Sequence, residues 1–323
     1  MAEMHSLTRR IRMGTGASAR RAIALAVVAL GANPVLAQIQ PTYLYGLSTF
    51  SGPLRLEGAR LHVDQERDET YVIYQSIVRV FNRSGMEIFS FGDDLDLGQI
   101  LDAAVDRNGD VILLSYRDAR SMVTRCNFRG VPIGPIQIKN LPSGVEFAAN
   151  RMIHRNGVFY FASLGTSSVI VTDANGVFRK HLEFLPMLEG DDRQKSSGAE
   201  MIGFTADQDG NIFFTVPILF KVFKFSSDGT LTSFGRSGSA AGRFGVIAGV
   251  ATDSRGNLLV TDKLKCVVMV FDRDFNFVTE FGYRGARPEN LIVPDDIAVD
   301  GKDRLFVSQG RRRGISVFAL ARN

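Results

Sequence analysis

Along most of the chain, apolar residues alternate with polar ones over runs of four to seven, and Gly, Asp and Asn cut the runs short. That period of two predicts half-buried β-strands rather than helices. The clearest run ends in an aromatic residue followed by Gly. It occurs as Glu87-Ile88-Phe89-Ser90-Phe91-Gly92, as Leu231-Thr232-Ser233-Phe234-Gly235 and as Val278-Thr279-Glu280-Phe281-Gly282. The last two glycines are 47 residues apart, and Gly92 and Gly235 are 143 apart, close to three such steps. Two less regular copies fill the gap and end near Ile138 and Leu185.

A second marker is an apolar strand, an Asp, a short polar turn and another apolar strand, as in Ala103-Ala104-Val105-Asp106-Arg107-Asn108-Gly109-Asp110-Val111-Ile112-Leu113. The Asn-Gly and Asp-Gly pairs in such stretches are hairpin signals. The marker falls at Asp64, Asp106, His154, Asp207, Asp253 and Asp300, at steps of 42 to 53 residues. A third apolar strand follows, as in Val268-Met269-Val270-Phe271. Each unit thus has four strands in about 47 residues, the size of one propeller blade. The sixth copy stops after three strands, at Ile315-Ser316-Val317-Phe318-Ala319-Leu320, while Thr42-Tyr43-Leu44-Tyr45-Gly46 supplies a strand with the aromatic-Gly ending. Regular spacing alone would also suit a two-sheet sandwich, but six periods with this circular offset favour a closed ring. The fold class expected is all-β: a six-bladed β-propeller of four antiparallel strands per blade, its last blade closed by the N-terminal strand. The blades are placed near 54–92, 97–140, 145–186, 199–235, 244–282 and 291–320 plus 42–46, within one domain spanning 38–323.

The run from Asp253 to Asp262, followed by Val268-Met269-Val270-Phe271 and Phe281-Gly282, resembles an NHL repeat, and the run from Pro294 to Asp300 resembles the start of another. The resemblance covers blades 4 to 6 well, blade 1 moderately and blades 2 and 3 weakly. It implies the propeller. It implies little about activity, because the family includes scaffolds, receptors, RNA binders and a few enzymes, and function is decided at sites rather than by folds.

The first 37 residues change the reading of charge. Arg9, Arg10, Arg12, Arg20 and Arg21 precede an apolar run from Ala22 to Leu30, and Val35-Leu36-Ala37 offers a cleavage site before Gln38. This is the pattern of a signal peptide; the alternative is an uncleaved anchor. It points to export, periplasmic or extracellular, with no membrane span once the leader is cut. The whole chain carries 38 basic and 34 acidic residues. Without the leader the count is 33 of each, so the basic excess is no argument for nucleic-acid binding, and no aromatic platform accompanies the basic loops. Cys126 and Cys266 fall three blades apart and are expected to be unpaired thiols.

No catalytic residue stands out, and no cofactor is expected. Four positions ahead of each marker are Arg60, Asp102, Asn150, Gly203, Gly249 and Asp296, which would line the upper end of a central channel. Sugar-lactone hydrolases of similar shape hold a divalent metal at the neighbouring ring, where only Asp295 matches and the other positions are Ala59, Leu101, Ala149, Ile202 and Ala248. Asp102, Asn150 and Asp296 remain as the metal set for a lactone or ester hydrolase. A zinc lyase would need several ligands, and His62, His154 and His181 lie at positions that do not easily converge. Asp93-Asp94-Leu95-Asp96 resembles only part of a calcium loop.

Partner binding is the stronger expectation. Loops on the upper face carry Arg117, Arg120, Lys263, Lys265, Arg284 and Arg287, and then the dense run Arg311-Arg312-Arg313. The opposite face is acidic at Asp64, Glu66, Asp68 and Glu69 and again at Asp106, Asp209, Asp228, Asp272 and Asp274. Opposed fields of this kind steer association. Phe220, in the apolar turn 216–220, adds a candidate contact. The binding set is therefore Arg311, Arg312, Arg313, Lys263, Lys265 and Phe220, for a monomeric scaffold that takes another protein or an anionic ligand, with a purely structural envelope module as a further reading.

Overall fold

The computed structural model describes residues 39–92 and 97–322. The leader and the acidic run 93–96 lie outside the described residues. Six four-stranded antiparallel sheets form the ring, and each follows the chain outward from its first strand. The first strands are Arg60–Asp64, Gln99–Val105, Arg151–Arg155, Phe204–Ala206, Ile247–Thr252 and Pro294–Val299. The sixth sheet takes its outer strand from the N-terminal side: Ile39–Gly46 pairs antiparallel with Ile315–Arg322. This joins the two ends of the described chain and leaves no open seam. The closing strand starts at Ile39, earlier than the Thr42 expected. The fourth strand of blade 2 is short, Pro132–Pro135, ending before Ile138.

Hydrophobic burial is distributed by seam. Six clusters sit one between each pair of neighbouring blades, such as Phe184, Phe214, Phe223 and Phe225 between blades 3 and 4. Phe214 and Phe223 stack with centroids 5.1 Å apart. The middle strands of a blade therefore bury both faces, which is why runs such as Leu258–Asp262 and Val267–Phe271 are buried throughout.

Both sequence markers have structural causes. The marker Asp accepts backbone N–H groups of its own turn: Asp253 Oδ1 from Arg255 and Asn257, and Asp207 Oδ1 from Asp209 and Asn211. These acids build turns and stay local. Gly92, Gly235 and Gly282 have φ of 103°, 112° and 110°, and a Cβ there would strike Ile100, Phe244 and Leu291 respectively. The glycine allows the next blade's apolar residue to close onto the strand end. Gly46 is not held in that way: the nearest atoms to a Cβ there would be 3.6 Å away.

The two thiols are unpaired and buried, Cys126 between blades 1 and 2 and Cys266 beside blade 5. Residues 185–201 fold down onto the ring. They form a 3-10 turn Leu185–Met187 and a short helix Gly190–Gln194, bury Leu188, Ala199 and Met201, and pair Asp192 with Lys221. Among the described residues no helix is long and apolar enough to cross a membrane.

Candidate binding site

The upper end of the channel is filled by one ion cluster. Arg151, almost wholly buried, donates from Nη1 to Asp296 Oδ2 at 3.0 Å and from Nη2 to Oδ1 at 3.2 Å. Its Nε faces Asp102 Oδ2 at 3.5 Å, an ion-pair contact without hydrogen-bond geometry. The remaining acceptor capacity goes to backbone: Asp296 Oδ2 accepts Leu61 N–H at 3.0 Å, and Asp102 accepts Ala103 and Met152 N–H at 3.0 and 2.9 Å. Burial works against the Arg151 charge, but Asp296 and Asp102 outweigh it and hold the guanidinium above its ordinary range. Burial also lifts the Asp102 carboxyl above the usual range, against the pull of Arg151 and Arg60. Arg60 lines the same space, and the like charge of Arg151, followed by burial, pulls its guanidinium down.

Backbone irregularity aims the two carboxylates. The pairing of the first strand with the second shifts between Ile100 and Asp102 and again between Pro294 and Ile297. Such bulges re-aim side chains. Two ring positions carry no side chain because the strands come too close. A Cβ on Gly203 would lie 2.2 Å from Ala248 O, and one on Gly249 would lie 2.5 Å from Asp295 O. Beside them, Thr215 Oγ1 donates to Ala248 O at 2.6 Å and Thr261 Oγ1 to Asp295 O at 2.8 Å, stitching blade 4 to 5 and blade 5 to 6.

Of the expected channel set, Arg60, Asp102 and Asp296 converge and Asn150 does not. Asn150 is exposed and accepts Leu164 N–H at 3.1 Å. Arg151 takes its place, because the position in blade 3 equivalent to the marker is Arg155 and not His154. There the turn is only Asn156-Gly157, with φ of 51° and 75°, so the strand runs on to Arg155, which pairs with Val158. Four positions ahead of Arg155 is Arg151. The Asn-Gly pair, a signature of two-residue hairpin turns, was the available signal.

A metal does not fit this site. Asp102 and Asp296 are committed to Arg151 and to backbone N–H groups, and Asn150 points away. Among the described residues no group of three or more His, Cys, Asp or Glu is placed to share a cation. Two histidines converge, contrary to expectation. His62 Nε2 accepts Val105 N–H at 3.1 Å, and His154 Nδ1 lies 3.4 Å from Val105 O. Burial pushes the His62 imidazole down to about 3, so it stays neutral.

The basic loop face divides into tied and open cations. Lys263 pairs with Asp295 at 2.8 Å, beside the channel. Lys265 pairs with Glu280 at 2.9 Å and also caps Ala240 O and Arg243 O. Phe220 is not a protruding tip: it adopts φ 53° and packs on the cluster between blades 4 and 5. The exposed member of that turn is Ile218. Arg311 and Arg312 form a tight turn with φ of 50° and 58°, held by Arg311 N–H to Glu57 Oε1 at 2.9 Å. Arg313 Nη2 donates to Arg287 O at 2.9 Å.

Arg312 and Arg313 line an open groove of about 620 Å³. Its other wall is the hairpin Ser48–Thr49 and Gly52–Pro53, which lies outside the repeat, together with Arg55. At the hairpin tip Phe50 is 96% exposed.

No protein-family profile matches the chain, and no curated protein sequence matches it. Solved structures do. A nutrient-binding protein from Bacteroides ovatus superposes with a TM-score of 0.59 at 13% identity, covering 87% of this chain and 77% of its own. A gluconolactonase from Xanthomonas campestris gives 0.55 at 15% identity, covering 88% and 92%. A catalytically inactive virginiamycin B lyase from Staphylococcus aureus with quinupristin gives 0.53 at 13%, covering 81% and 80%. At these identities the likeness establishes the architecture, a β-propeller, and leaves activity to be argued from this chain's own residues.

Proposed function

We propose that the chain is an exported, monomeric propeller of the NHL type that binds an anionic protein segment in the groove between the N-terminal hairpin and the 311–313 turn. The observation that carries this is the placement of Arg55, Arg312 and Arg313 around one groove beside the almost fully exposed Phe50. Exposed aromatics and arginines are the residue types that dominate binding energy at interfaces, and guanidinium forks match carboxylates. The occupant is acidic because the groove's charged lining residues are all basic. Lys263, Lys265 and Phe220 serve the architecture instead. A non-catalytic role is favoured over the hydrolase alternative because the carboxylates a cation would need already hold Arg151.

Panning a random peptide library on the purified protein tests this. Acidic sequences with an apolar residue should be enriched, and Arg312→Ala combined with Phe50→Ser should abolish the enrichment. Enrichment without acidic residues, or enrichment indifferent to both substitutions, would overturn the reading.

A further inference from the structure

The lower end of the channel, where the first strands finish, holds a separate cavity of about 230 Å³ between the strand ends of blades 1 to 3 and Gln208. Among the described residues, two of its cations have no carboxylate partner, while two of its acids are tied to other groups. Asp64 is neutralised by Arg67 at 2.9 Å and also accepts Glu66 N–H at 3.0 Å. Asp106 is held by Arg125, which it shares with Asp110, and by the N–H groups of Asn108 and Asp110. Glu66 is exposed at the rim.

Arg155 has no such partner. It is half-buried in the cavity wall, and its Nε reaches Ala206 O at 3.4 Å. Among the described residues no carboxylate lies within ion-pair distance of it. Burial pulls the guanidinium below its ordinary range, with Asp207 opposing. Arg107, exposed at the mouth, is likewise without a carboxylate, its carbonyl alone being engaged by Arg67. The two imidazoles are held in place by Val105.

A partly desolvated guanidinium without a counterion is costly, and its planar fork suits a carboxylate or phosphate group. The cavity is smaller than those that enclose drug-sized ligands. We propose that it is a binding site for a small oxyanion-bearing molecule, gripped by Arg155 in the wall and attracted by Arg107 at the mouth. It lies on the face opposite the groove and is independent of it.

Calorimetric titration of the protein with inorganic phosphate, and separately with succinate, tests the site and tells a phosphoryl from a carboxylate ligand. At least one should bind saturably at submillimolar concentration. Arg155→Gln should weaken that binding at least about tenfold, while Arg312→Ala leaves it unchanged. Arg155→Lys should keep part of it, having charge without the fork. No saturable binding of either anion up to about 10 mM, or binding unaffected by Arg155→Gln, would overturn the proposal. If Arg155→Gln does not fold, the exposed Arg107→Gln decides instead. Weaker binding with a flatter salt dependence supports the site, and unchanged binding refutes it.

Discussion

Arg151 and Asp296 meet across the channel axis as a two-point pair, Nη1 to Oδ2 at 3.0 Å and Nη2 to Oδ1 at 3.2 Å, although 145 residues separate them. The pair joins blade 3 to blade 6. Leu61 of blade 1, through its N–H to Asp296, and Asp102 of blade 2 join the same cluster, so four blades meet in it. Charge in this channel locks the ring and closes its upper end to a cation.

Arg151→Met should therefore cost about 3–5 kcal/mol, since it leaves two buried carboxylates without their hydrogen-bonded cation and only Arg60 near them. Urea unfolding would report it. Replacing Asp102 and Asp296 by Asn in the same variant should recover a large part of the loss. A loss below about 1 kcal/mol for Arg151→Met would mean that the cluster does not hold the ring.

Gly249→Ala should destabilise by more than an ordinary surface change, which lies within about 0.5 kcal/mol. The added methyl would meet Asp295 O and the backbone of Asp296, neither of which is the free end of a flexible side chain. Gly134→Ala is the control, because nothing lies within 4 Å of a Cβ there. Equal melting temperatures for the two variants would contradict the close approach of blades 5 and 6.

Acid should weaken the fold through His62. Its folded value of about 3 lies below the ordinary 6.5, so between them the unfolded chain binds the extra proton. The stability it contributes is present above about pH 6.5 and is lost as the pH falls toward about 3. His154 is shifted in the same direction by burial. Urea midpoints measured across this range should show a shallower slope in His62→Gln, whose amide can still accept from Val105 N–H. An unchanged slope would place the proton uptake elsewhere.

Cys126 should resist alkylation in the native protein. Its thiol is buried and is pushed up to about 11 by burial and then by Asp110, so little thiolate exists near neutrality. Mass spectrometry after iodoacetamide should find it labelled only when denaturant is present. Rapid native labelling would mean that the seam between blades 1 and 2 opens.

Phe318→Ala should cost about 3–5 kcal/mol, the usual loss for a buried aromatic. Phe318 is buried against Tyr43 of the closing strand, with ring centroids 5.7 Å apart, and against Phe281 of blade 5. Tyr43→Ala should also lower the melting temperature, by less, because that ring is only partly buried. A Tyr43→Ala protein as stable as the parent would show that ring closure adds nothing.

The blade count, the four-strand unit and the borrowed N-terminal strand were legible in the sequence because they rest on local rules. Strand alternation, Asp-capped turns and positive-φ glycines repeat with the chain, and each copy carries its own signal. The channel was legible in part. Arg60, Asp102 and Asp296 were found by counting from markers, and Arg151 was missed where the two-residue turn at Asn156-Gly157 moved the register by one.

What the sequence by itself determined is therefore the repeating unit and its closure. Tertiary structure alone decided which charges are paired. Whether Lys265 faces a partner or Glu280, and whether Asp296 waits for a cation or holds Arg151, depends on residues 15 and 145 positions away meeting in space. Coulomb pairing acts through distance in the fold, and bulges that leave no mark in the hydrophobic pattern set that distance.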